Sequence, residues 1–97
     1  MRHRDSDLGT VEREVTIINK YGLHARPAMQ FVEMANQYAS KVEVSNGSLT
    51  VDAKSIMSVM RLGAGKGTVL RITADGDDAQ EAVEALAELF ANGFGEE

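Results

Sequence analysis

The chain's single proline, Pro27, stands where one apolar rhythm gives way to another. Ahead of it, Val11, Val15 and Ile17 share one parity of an extended segment and Glu12, Glu14 and Thr16 the other, which is the period of a half-buried strand. Behind it, Ala28, Phe31, Val32 and Ala35 recur at steps of three and four, the stripe of an amphipathic helix. Proline suits the first turn of a helix, where its missing N–H forfeits no bond and its fixed φ is already helical. The helix therefore begins close to residue 27, and Tyr21-Gly22 turns the chain into it.

The same periodicities carry through the rest of the chain. Val42 and Val44 alternate with polar residues, Asn46-Gly47 is a two-residue turn signal, and Leu49 and Val51 resume the alternation, so residues 41–52 read as a hairpin. Residues 55–62 read as a short helix with Ser55 as N-cap and Ile56, Met57, Val59 and Met60 along it. Gly63, Gly65 and Gly67 make a flexible loop, and the β-branched stretch 68–74 a strand closed by Asp75-Gly76-Asp77. From Asp78, the apolar set Ala79, Ala82, Val83, Leu86 and Phe90 has helical spacing until Gly93 ends it. The order is strand, helix, strand, strand, helix, strand, helix. It predicts an α+β open-faced sandwich, a four-stranded antiparallel sheet with three helices packed on one face. Residues 1–9 mix charges without period and are expected to form a disordered tail, leaving 10–97 as one domain.

Composition removes several functions. At 97 residues there is room for one core and not two. The chain has no cysteine and only two histidines, His3 and His24, which leaves no thiolate nucleophile, no Cys-based zinc site and no multi-histidine metal centre. No apolar run approaches a membrane span and no apolar segment opens the chain, so a cytoplasmic protein that avoids membranes is expected. Net charge is −5, unevenly spread: residues 75–97 hold eight acidic side chains and no basic one, so they carry −8 and the remainder +3. That acidic end argues against a nucleic-acid partner.

The residues that carry chemistry sit at the mouth of the first helix. His24 offers an imidazole nucleophile that is not fully charged near neutral pH. The helix start offers up to four unpaired N–H donors, Ala25 among them, and Arg26 adds a planar fork for phosphate oxygens. No Asp or Glu occurs between Glu14 and Glu33, nor between Asp52 and Asp75, and the second window holds Lys54, Arg61, Lys66 and Arg71. If the windows meet, they form one cationic face from which carboxylates, which would repel phosphate, are kept away. Histidine at a helix start can equally be a turn residue, and a lone arginine a solvated charge. Their combination with Pro27 is what points to a phosphoryl group carried on imidazole, with no metal or cofactor needed.

Three segments, Gly22–Ala28 (GLHARPA), Lys54–Met60 (KSIMSVM) and Gly65-Lys66-Gly67, resemble the HPr family, the histidine-containing phosphocarriers of the bacterial phosphoenolpyruvate-dependent phosphotransferase system, over residues 11–94. The resemblance implies that His24 takes phosphate from phospho-enzyme I through Nδ1 and hands it to an enzyme IIA domain, with Arg26 in the active centre. It implies a monomer, and a regulatory serine at Ser55, the target of HPr kinase/phosphorylase in many relatives. Met29 departs from the Thr or Ser common at that place, and the ending Asn92-Gly93-Phe94 resembles the nitrogen-related paralogue NPr. Met29, Ile56, Met57 and Met60 are candidates for partner docking, since flexible thioethers suit a surface that binds several proteins. Each is also a candidate core filler. Two rivals stand beside the carrier. A regulator that binds kinases or transcription factors would act through Ser55. A hydrolase or isomerase using His24 as general base would need a carboxylate orienter and an enclosed cavity, neither of which the local sequence offers.

Overall fold

The computed structural model describes residues 9–96. The tail expected over 1–9 lies, apart from Gly9, outside the described residues. Four strands, β1 (Thr10–Thr16), β2 (Lys41–Ser45), β3 (Thr50–Asp52) and β4 (Val69–Asp75), form one antiparallel sheet in the order β1-β4-β2-β3. Helices α1 (Ala25–Ala35), α2 (Ile56–Met60) and α3 (Ala79–Ala91) complete the expected order, and a 3₁₀ turn, Gly93–Gly95, follows.

Register puts the apolar parity of every strand on one face. Val15 pairs with Leu70, Val42 with Ala74, and Val44 with both Ile72 and Val51, and all seven are buried. Onto them pack Ala28, Phe31 and Ala35 of α1 and Ala79, Ala82, Val83, Leu86 and Phe90 of α3, the stripes expected from spacing except that Val32 is half-buried. Phe31 meets Phe90 edge-on at 5.6 Å between ring centroids, which ties the two long helices together.

Two local expectations shift. The hairpin's central residues are Gly47-Ser48, one place beyond Asn46-Gly47, because the Asn46 carboxamide acts on the turn from outside it. Its Oδ1 accepts from the N–H groups of Ser48 at 2.9 Å and Leu49 at 2.8 Å, and Gly47 takes a φ of 98°. The short helix stops at Met60, two residues early, because Arg61 and Leu62 close three-residue bonds onto Ser58 and Val59 before Gly63 turns away with a φ of 55°.

Behind the start of α1, the chain is clamped to the glycine loop. Ile17 donates to Thr68 at 2.9 Å and accepts from Gly67 at 2.7 Å, and Leu23 donates to Ala64 at 2.9 Å. Gly22 has a φ of 71°, and a Cβ on it would lie 2.6 Å from the Ala64 oxygen. Only glycine permits that approach.

Candidate functional site

His24 is the N-cap of α1, with φ −79° and ψ −173°, and its side chain makes no capping bond. Its carbonyl accepts from Ala28 at 2.9 Å, closing the first turn. Pro27 is the third helical residue and has no N–H to offer, so the donors at the mouth are fewer than the four expected and centre on Ala25 and Arg26. The first turn holds no acidic residue, and Ala25 and Arg26 are exposed. The imidazole, 40% exposed, lies open rather than in an enclosed cavity.

A carboxylate does reach it, contrary to the expectation that the acid-free windows would keep one away. Both oxygens of Glu96 lie 3.1 Å from His24 Nε2. Glu96 is itself only 17% exposed, and the hydrogen bond from His24 holds its carboxyl below the ordinary value of 4.5, helped by a bond from Asn19 and by the charges of His24 and Arg26 and opposed by burial. An ionised Glu96 can only accept, so Nε2 bears the proton toward it, and in the neutral form of the ring the lone pair is then at Nδ1.

Glu96 arrives by a reversal of the chain at the end of α3. Gly93, Phe94 and Gly95 all take left-handed backbone, with φ of 59°, 56° and 74°. For a bulky residue such as Phe94 this costs roughly 1–2 kcal/mol. Burial of its ring edge-on against Phe90, 4.8 Å between centroids, offsets that strain and anchors the reversal. Asn19, also buried, donates from Nδ2 to the Gly22 carbonyl at 2.7 Å and to Glu96 Oε1 at 3.1 Å. Neither Asn19 nor Glu96 was singled out by sequence reasoning. The signal for Glu96 was an aromatic residue between two glycines just past a helix end. In the sequence Tyr21 marks only a turn, yet its exposed ring stands edge-on to His24 at 6.2 Å, with Lys20 Nζ 5.2 Å from the Tyr21 ring centroid.

The other candidates divide. Met29, Met57 and Met60 are exposed, Met57 at 76%, whereas Ile56 packs half-buried against the core and offers less to a partner. Ser55 caps α2 as expected, its hydroxyl accepting from Ser58 N at 3.3 Å. The cationic face is smaller than the sequence suggested. The two windows do meet where Leu23 bonds Ala64, but Lys54 donates to the Tyr38 carbonyl at 2.7 Å and Arg71 pairs with Glu14 at 3.3 Å, so neither cation is free for the site. Among the described residues no three His, Cys, Asp or Glu side chains come together as metal ligands, and no helix is long and apolar enough to cross a membrane.

Comparison with known proteins gives the site its context. A family model described as "PTS HPr component phosphorylation site" matches residues 11–92. The chain is 52% identical over 84 residues to the phosphocarrier protein HPr of Pseudomonas aeruginosa, covering 86% of this chain and 93% of the relative. It is 49% identical over 86 residues to that of Cupriavidus necator, covering 89% and 97%. The crystal structure of HPr-C-His from Thermoanaerobacter tengcongensis superposes with a TM-score of 0.86 at 46% identity, covering 90% of this chain and 98% of that one. The α+β sandwich, the strand order and the motif at His24 thus converge with these matches: the chain belongs to the HPr family of phosphocarrier proteins of the phosphotransferase system.

Proposed function

We propose that His24 carries the phosphoryl group, accepting it on Nδ1 from phospho-enzyme I and delivering it to an enzyme IIA domain in the cytoplasm. The observation that carries this reading is the asymmetry of the ring: Glu96 engages Nε2 with both oxygens, which leaves Nδ1 for phosphorus. In the transfer, the Nδ1 lone pair forms the new N–P bond while the donor's bond to phosphorus breaks and its electron pair leaves with the donor. The Nε2 proton stays in place, so no separate base is required. Charge on the three equatorial oxygens of the loose transition state falls toward the Ala25 and Arg26 N–H groups and the Arg26 guanidinium. Because the imidazole lies open, a partner can approach it directly and the phosphoryl group can leave as readily as it came.

Met29, Met57 and Met60 provide an exposed apolar surface on α1 and α2 for these partners, and Ser55 adjoins it. Phosphorylation of Ser55 by an HPr kinase/phosphorylase would add about −1.5 to −2 charge there and weaken docking of an acidic partner. The test of the carrier reading is labelling with phosphoenolpyruvate and enzyme I. The wild type should take up one acid-labile phosphoryl group and the His24→Ala variant none. Acid-stable label, or label retained in the variant, overturns the reading.

A further inference from the structure

The carrier reading leaves unexplained why the chain buries an asparagine beside its reactive histidine with one polar atom unmet. Asn19 Oδ1 has no hydrogen-bond partner among the described residues although the side chain is buried. Rotating the amide would not help, because the two atoms now facing Nδ2 are the Gly22 carbonyl and Glu96 Oε1, both acceptors. The amide is thus fixed in one orientation by its two donated bonds, and the acceptor is left over. A buried polar group retained in this condition calls for a reason beyond packing, and its two donated bonds point to it.

We infer that Asn19 is a positioning residue for His24: its amide holds the Glu96 carboxylate against Nε2, so the ring keeps its proton there and presents Nδ1. This rests on the carrier reading and deepens it. One Nδ2 bond goes to the Gly22 carbonyl, in the loop clamped to Ala64 just ahead of His24, and the other to a chain end that has folded back onto the site. The same amide therefore joins the segment that sets the height of the histidine to the group that sets its tautomer. Gly93 completes the seat, since a Cβ there would meet Ile18 at 3.6 Å and Asn19 Cβ at 3.8 Å, so the reversal lies directly on residues 18 and 19. When phosphorus binds Nδ1 the ring becomes more cationic, and the Nε2–H bond to a carboxylate held in place strengthens with it. A carboxylate left to wander at the end of the chain would do this only part of the time. Its negative charge would also be free to drift toward the incoming phosphate, which Asn19 prevents by fixing it on the far nitrogen.

The experiment is nitrogen-15 NMR of His24 at a pH where the imidazole is neutral, paired with phosphoryl uptake from enzyme I, on wild type, Asn19→Ala, Glu96→Ala and the double variant. Wild type should show a proton-bearing shift at Nε2 and a lone-pair shift at Nδ1. Both single variants should move the two shifts toward each other and slow phosphoryl uptake about fivefold, the weight of one ordinary hydrogen bond. Because Asn19 acts through Glu96, the double variant should be no slower than Glu96→Ala alone. Unmoved shifts in Asn19→Ala, or losses that multiply in the double variant, overturn the inference. Should Asn19→Ala fail to fold, Asn19→Asp keeps the shape and sets a second carboxylate against Glu96. It should move the shifts in the same direction, and unmoved shifts in that variant or in Glu96→Ala overturn the inference equally. The two readings fail differently: phosphate that never reaches His24 defeats the carrier reading, whereas normal uptake with unmoved shifts defeats only the role of Asn19.

Discussion

His24 owes its proposed chemistry to what surrounds its two ring nitrogens; Arg26 places a positive charge beside it, and the proposed phosphorylation of Ser55 would add a negative one near the docking surface. Arg26→Lys keeps a positive charge but loses the fork that can hold two phosphate oxygens. Arg26 is exposed, so thermal unfolding should stay within a degree or two while phosphoryl transfer slows about tenfold or more. Wild-type values for both would make it a surface charge only. Substitutions at Ser55 separate its cap from its proposed regulatory role. Ser55→Ala should cost about 1 kcal/mol of stability through the lost cap on α2 and leave transfer near normal. Ser55→Asp keeps a capping oxygen and adds charge beside Met57, so the fold should hold while phosphorylation below saturating carrier slows. Equal rates in Ser55→Asp and wild type would leave Ser55 as a cap alone.

At the scale of elements, α3 is held at its start by contacts with a distant segment of the chain. The N-terminus of α3 is tied to the loop before β2 by Asp78, which accepts from the N–H groups of Ala39 at 2.8 Å and Ser40 at 2.9 Å and from the Ser40 hydroxyl. The Ser40 hydroxyl, followed by the Ala39 N–H and then the Ser40 N–H, holds the Asp78 carboxyl below its ordinary value of 3.8, with burial opposing them. A carboxyl whose value is lowered on folding stabilises the protein fully above its unfolded value and loses that contribution as pH falls through its folded one. Stability should therefore drop as pH falls below about 4. In Asp78→Asn the protein should be less stable at pH 7 and its acid slope shallower, as urea unfolding at a series of pH values would report. An unchanged slope would mean that Asp78 is not the group responsible.

Across the whole molecule, the strand and helix order was legible because nearly every element buries one clean face, as the Val42, Val44 and Val51 parity and the Ala79 to Phe90 stripe attest. The positions of His24, Arg26 and Pro27 at one helix mouth were legible for the same reason, since a lone proline limits where that helix can begin. What escaped at the site was the set of side-chain contacts that depend on a second segment. Glu96 lies 72 residues from His24 along the chain, and only the left-handed run through Phe94 brings it back. The cationic windows looked continuous because a sequence does not show Lys54 turning to the Tyr38 carbonyl or Arg71 to Glu14. Asn19 gave no local sign either, since its partners are a carbonyl three residues on and a side chain at the far end.

The central claim is that Nδ1 of His24 is the atom that carries phosphorus, and one spectrum tests it most directly. The protein labelled with nitrogen-15 in its histidines is phosphorylated with phosphoenolpyruvate and enzyme I, and the one-bond phosphorus–nitrogen coupling is read from the imidazole. The account predicts that coupling at Nδ1 of His24, with Nε2 still bearing its proton. Coupling at Nε2, or phosphorus on any other residue, would contradict it.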